Sequence, residues 1–180
     1  METKRSSFNN SPAWQKGHSG EHTVAQLLKD SGWYVIPSYD YTGDEGNKAP
    51  RLHGISGFFV IPDIDVSRDG ERRWAEVKTK ESATLHRKSG TLVHGFSLKH
   101  FQDYLRVQEI TGCEVHVFIY EHDTDDVLVA SLECLSKNIH HEYTPAQGKK
   151  MGRHGMVFFD RKTFRLWRNL NEASIPAGVN

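Results

Sequence analysis

The sequence predicts an α/β domain: a mixed central β-sheet flanked by helices, in the order α-β-β-β-α-β. Three observations carry this. Val24, Leu27, Leu28 and Ser31 recur at helical spacing and stop at Gly32, a helix-ending residue. Asp69-Gly70 stands between two β-rich runs, residues 61–66 and 71–80, which is the sequence form of a two-residue type I′ hairpin. Further on, Phe101, Tyr104, Leu105 and Gln108 form a second helical stripe between Ser97 and Gly112, and residues 114–120 then run apolar as a buried strand does.

Composition bounds the class. A chain of 180 residues is long enough for one domain with a sizeable core. No apolar run reaches the length of a membrane span, and no secretory segment follows Met1. The two cysteines, Cys113 and Cys134, form no Cys-x-x-Cys and argue against a structural zinc site or a disulfide framework. A cytoplasmic protein with free thiols is expected. Lys plus Arg (23) equals Asp plus Glu (23), which argues against a general nucleic-acid coater but leaves room for a local basic patch.

In chain order, residues 1–16 read as a flexible arm, residues 17–170 as a single domain, and residues 171–180 as a tail. Lys4 and Arg5 in the arm read as solvated rather than as phosphate contacts. Ser19 is the expected N-cap of the first helix, with Glu21 and His22 in its first turn. Glu21 shares a side with Val24, Ala25 and Leu28. A carboxylate turned toward a core is costly unless paired, which points to function; compensation of the helix dipole is the competing account. Residues 33–37 form a short strand. Residues 38–56 form a long loop, whose Lys48 and Arg51 stay open between lining a substrate groove and simple solvation. The hairpin covers residues 57–80. Residues 81–94, with Arg87, Lys88 and a Ser89-Gly90 turn, read as a mobile basic loop. After the second helix and the apolar strand come a turn at 123–126, a strand at 127–131 and a short helix at 132–138. A loop at 139–153 follows, whose Lys149, Lys150 and Arg153 read as solvated. Short strands at 156–159 and 164–166 close the fold.

The hairpin carries the chemistry. If Asp69 and Gly70 are its loop residues, Arg68 faces Glu71 and counting outward sets Asp63 opposite Glu76. Alternation then puts Ile64, Val66, Ala75, Val77 and Thr79 on a core face, and Asp63, Asp65, Glu76, Lys78 and Lys80 on the other. Trp74 on the charged face and Arg73 on the apolar face depart from that pattern. Opposed carboxylates repel and want a cation between them. Magnesium prefers such oxygen ligands and commonly takes one or two carboxylates plus substrate phosphate. Lys78, one pleat on, reaches a phosphate oxygen or the attacking water. A two-carboxylate, one-lysine hairpin is thus a candidate phosphodiester-cleaving site. Taken alone, Glu76-Val77-Lys78 is more often a solvated strand face; its pairing with Asp63 over an apolar opposite face shifts the balance. Asp65 replaces Asp63 if the turn holds an extra residue.

Pro62-Asp63 followed by Glu76-Val77-Lys78 resembles the signature of the PD-(D/E)xK nuclease superfamily. Residues 17–33, from Gly17 through Glu21 to Trp33, resemble the first helix of its Holliday-junction-resolvase-like branch. The resemblance spans roughly residues 17–120 and implies a restriction-endonuclease-like core. It implies a Mg²⁺-dependent nuclease, with Mn²⁺ able to substitute, acting on nucleic acid and most simply on DNA. Asp63, Glu76 and the Val77 carbonyl would hold the metal, Glu21 would support a second ion or a metal-bound water, and Lys78 would orient the water or stabilise charge. Related nucleases often place a glutamine, or a glutamine and a tyrosine, on the helix after Glu-x-Lys; Gln102, Tyr104 and Gln108 are the candidates here, with the core reading favoured for Tyr104. Lys80, Lys48 and Arg51 are candidate substrate contacts, and a homodimer is expected by analogy. Two other classes stay open: a catalytically silent module that binds nucleic acid or a protein partner, and a regulatory protein whose acidic hairpin is incidental. The eleven histidines show no metal-ligand spacing and read as surface or substrate-contacting.

Overall fold

The computed structural model describes residues 12–37, 50–55, 57–144 and 155–172, without the side chains of residues 12–16 and 18. Lys48, Lys149, Lys150, Arg153, most of the expected arm and the end of the tail lie outside the described residues. The first helix, α1 (Pro12–Asp30), leads into β1 (Tyr34–Pro37). A small ribbon of β2 (Arg51–Gly54) and β3 (Gly57–Val60) precedes the long hairpin of β4 (Ile64–Arg68) and β5 (Glu71–Lys80). Then come β6 (Thr84–His86), β7 (Thr91–Ser97), α2 (Leu98–Thr111), β8 (Glu114–Glu121) and β9 (Asp126–Ser131). The chain closes with α3 (Leu132–Lys137), β10 (Ile139–Tyr143), β11 (Met156–Asp160) and β12 (Arg165–Asn169).

Six strands form the central sheet, in the order β1-β4-β5-β8-β9-β12. It is mixed: β5 and β8 are parallel, from Arg73↔Glu114 to Lys80↔Glu121, and the other pairs are antiparallel. The expected α-β-β-β-α-β order is α1, β1, β4, β5, α2 and β8. Asp69 (φ 52°) and Gly70 (φ 85°) both take the left-handed conformation that a type I′ turn demands, and Arg68 pairs with Glu71. Ser97 caps α2, its side chain accepting from His100 N at 3.4 Å, and Gly112 (φ 65°) ends it with its N–H on Gln108 O.

Both faces of the central sheet are covered. On one, Val24 and Leu28 of α1 pack on Ile64, Val66, Ala75, Val77, Phe118 and Val129. On the other, Phe101, Tyr104 and Val107 of α2 join Trp74, Val117 and Ile119 with Phe96 and Phe159. This explains the misfit of Trp74: the face that carries Glu76 and Lys78 is a second core, not a solvated surface. Strands next to a parallel pair are buried on both sides, so β5 reads Trp74-Ala75-Glu76-Val77 without exposure.

Four expectations change. The helix starts at Pro12, where a proline lacks only a donor that the first turn leaves unpaired anyway. Ser19 is inside it, its carbonyl accepting from Thr23 Oγ1 at 3.0 Å, and is not the N-cap. Part of the long loop is the β2–β3 ribbon, so the long hairpin begins at Ile64 rather than Gly57. The basic loop at 81–94 is the β6–β7 hairpin, turning at Gly90 (φ 67°). Part of the loop at 139–153 is β10, which joins β11, β7 and β6 in a second sheet. The β2–β3 and β6–β7 pairs close locally across turn residues that also fit a loop, whereas β7 pairs with β11 far along the chain.

Gly20 marks where α1 meets β5: a Cβ there would lie 2.0 Å from Thr79 Oγ1. Gly20→Ala is therefore expected to destabilise the protein by about 1–3 kcal/mol despite alanine's better helix propensity. Thermal melts followed by circular dichroism check this, and Thr79→Ala in the same chain should recover part of the loss.

Candidate active site

The two-residue turn determines where the carboxylates sit. The β4–β5 ladder runs inward from Arg68↔Glu71 to Ile64↔Ala75 without a bulge, and Asp63 follows at its end. Asp63 Oδ2 accepts from Val77 N at 2.9 Å. A strand residue directs its N–H and its C=O to the same side. The Val77 carbonyl thus opens toward Asp63, beyond the last β4 pair. Asp65 is committed elsewhere, held by Arg72 at 2.5–3.1 Å, so the intact turn leaves Asp63 as the residue beside Glu76.

Glu76 is fully buried. Its Oε1 pairs with the Lys78 ammonium, and its Oε2 is buried with no hydrogen-bond partner among the described residues. Burial, then the negative charge of Glu76, pushes the Asp63 carboxyl from an ordinary 3.8 up to about 7, against the pull of Lys78 and the Val77 N–H. Burial works to lower the Lys78 pKa, but Glu76, Asp63 and then Glu21 outweigh it, so the ammonium stays charged above its ordinary range. Glu21 thus lies near enough to Lys78 for its charge to favour the ammonium.

This donor set fits a hard cation. Two carboxylates that repel, one orphaned buried oxygen and one carbonyl opening toward them match the oxygen chemistry of Mg²⁺ or Mn²⁺. Among the described residues no three His, Cys, Asp or Glu side chains come together as a metal-ligand group, Glu21 with the Asp63–Glu76 pair included.

The other candidates distribute unevenly. Tyr104 is both core and site: it is buried in the α2 stripe, and burial followed by Glu76 and Asp63 raises its pKa well above the ordinary value. Its hydroxyl therefore keeps its proton. Gln102, two positions earlier and so on another side of the helix, is exposed. Gln108 Oε1 accepts from Val115 N at 2.9 Å, tying α2 to the start of β8, so it is structural rather than aimed at the carboxylates. Arg51 stacks over Phe58 at 4.2 Å in the β2–β3 ribbon. Lys80 is half-buried on the Lys78 side; burial, then Lys78's charge, lowers its pKa.

A further buried charge group carries no mark in the sequence pattern. Glu121, at the end of β8 and fully buried, is gripped by Arg161 (2.5–3.1 Å) and faces His94 Nε2 at 3.0 Å. Arg161 also reaches Asp126 at 3.0 Å. His94 is held below its ordinary pKa by burial, although Glu121 opposes the shift. These residues span three separate segments, and no local motif joins them.

In metal-free protein the sign of the pH dependence follows from Asp63. The unfolded chain releases its proton near 3.8 and the folded chain near 7, so the folded state binds more protons between those values. Stability in EDTA should fall as pH rises from about 4 to about 7. Denaturant unfolding across that range is expected to show this fall in the wild type, a flatter profile in Asp63→Asn, and a flatter profile with Mg²⁺ present.

Solved structures place the architecture. The chain is similar to a Holliday junction resolvase of the archaeal hyperthermophile Archaeoglobus fulgidus (13% identity, TM-score 0.52, 82% of this chain and 91% of that one). It is also similar to a nuclease from a fusselovirus (11%, 0.44, 83% and 86%) and to a bacterial homing endonuclease (13%, 0.40, 80% and 86%). At that identity the likeness to the resolvase shows the fold alone: a restriction-endonuclease-like core with a mixed central sheet flanked by helices, which this chain has. No protein-family model and no curated protein matches it by sequence. Among the described residues no helix is long and apolar enough to cross a membrane.

Proposed function

We propose that this protein is a metal-dependent nuclease that hydrolyses phosphodiester bonds in DNA. The observation that carries the reading is the Asp63–Glu76 pair: two carboxylates forced together inside the fold, one with an orphaned oxygen, beside a charged lysine. Asp63, Glu76 and the Val77 carbonyl would hold Mg²⁺, with Mn²⁺ substituting, and such an ion would supply a more acidic water and neutralise charge on the phosphate. Lys78 keeps its proton and is placed to donate to a non-bridging phosphate oxygen as negative charge develops there. Glu21 acts through Lys78, favouring its charged form. The Tyr104 hydroxyl, 3.5 Å from His100 Nδ1, stays protonated near Glu76 rather than adding a third negative charge. A sheet buried on both faces keeps bulk water from the inner side of the pair.

The Archaeoglobus protein of this fold acts on Holliday junctions, so branched DNA belongs in the first substrate panel beside linear, circular and single-stranded DNA and RNA. Cleavage is expected with Mg²⁺ or Mn²⁺ and none with EDTA. Lys78→Ala should lower kcat about 10²–10³-fold, the cost of removing one preorganised electrostatic donor. A folded wild type that cleaves nothing and shows no Mg²⁺ or Mn²⁺ affinity by calorimetry would instead support the silent binding module. Glu76→Gln tests the metal role separately: in a chain that still folds by circular dichroism, calorimetry should show Mg²⁺ and Mn²⁺ binding abolished.

A further inference from the structure

β5 and β8 stay in uninterrupted parallel register to their last pair, Lys80↔Glu121. Glu76, Lys78 and Lys80 therefore project from one face at successive pleats. The main chain at Lys80 is fixed as well, its carbonyl accepting from His122 N at 3.0 Å. Glu121 lies directly beside Lys80 in the register and would be its natural counter-ion. That carboxylate is already taken by Arg161, whose Nε donates to both oxygens and Nη2 to Oε2, with His94 Nε2 3.0 Å from Oε1. Among the described residues no carboxylate pairs with Lys80. The fold thus spends a buried carboxylate on Arg161 and leaves a half-buried ammonium uncompensated next to Lys78. Two residues along a strand span roughly 6.6 Å, close to the separation of successive phosphates on one nucleic-acid strand.

We infer that Lys80 is a second phosphate-binding position, one pleat beyond Lys78, which holds the phosphate next to the one being cleaved, and that the Glu121–Arg161–His94 group keeps Lys80 available for it. This rests on the nuclease reading and deepens it: the substrate is a polynucleotide strand with at least two consecutive phosphates in the site, not a lone phosphodiester.

Two readouts test it in the full chain. The first is binding of a fluorescein-labelled duplex DNA oligonucleotide, with Ca²⁺ in place of Mg²⁺, as a function of salt. Lys80→Met should bind about tenfold more weakly, with a log K against log salt slope shallower by about one unit, and Lys80→Arg should restore most of both. The second compares hydrolysis of that oligonucleotide with hydrolysis of bis(p-nitrophenyl) phosphate, which has no neighbouring phosphate. Lys80→Met should cost about tenfold more in kcat/KM on the oligonucleotide than on the small diester. Lys78→Ala should depress both together. An unchanged salt slope, or equal losses on the two substrates, overturns the inference while leaving the nuclease standing. A wild type that neither binds nor cleaves overturns both.

Discussion

The parallel ladder between β5 and β8 is the constraint on which the rest depends. Parallel strands need a crossover, which α2 supplies, and the crossover covers one face of the sheet while α1 covers the other. A strand so placed has no solvated side. Glu76 must then be buried wherever its side chain points, and a buried carboxylate persists only with a cation, a proton or a metal to answer it. Lys78 answers one oxygen, and the other waits beside Asp63. The chemistry proposed for the protein follows from a packing decision in its central strand.

Around that strand the charges are allotted rather than averaged. Arg72 takes Asp65, so Asp65 does not compete for the site. Arg161 takes Glu121, so Glu121 does not neutralise Lys80. What remains among the described residues is a carboxylate pair answered by one lysine and, beyond Lys78, a half-buried cation with no carboxylate partner along one edge of the same face. A chain with zero formal net charge can thereby present a strongly polarised local field.

Much of this is legible in the order of residues. Asp69-Gly70 admits one turn geometry, and that geometry brings Asp63 to Glu76 by counting alone. Ser97 and Gly112 bracket α2 where capping chemistry requires. Periodicity puts Tyr104 in the core stripe, and it is in the core, but its hydroxyl also faces the carboxylates because the stripe packs on the charged face of β5. Gln102 and Gln108 share a helix with Tyr104, and only the helix's rotation against the sheet separates an exposed glutamine from one that bonds Val115.

What the sequence alone determined is local and periodic: the turn, the caps, the strand alternation and the acid-acid-lysine spacing, each set by interactions between near neighbours in the chain. What only the tertiary structure decided is which faces are covered and which charges find each other. The second sheet pairs β10 with β11, and β11 with β7, and the second of these pairings spans a long sequence separation that no period announces. Arg161 reaches Glu121 across 40 residues for the same reason. Burial and charge pairing are properties of contacts between distant segments, and a single sequence records the segments without their meeting.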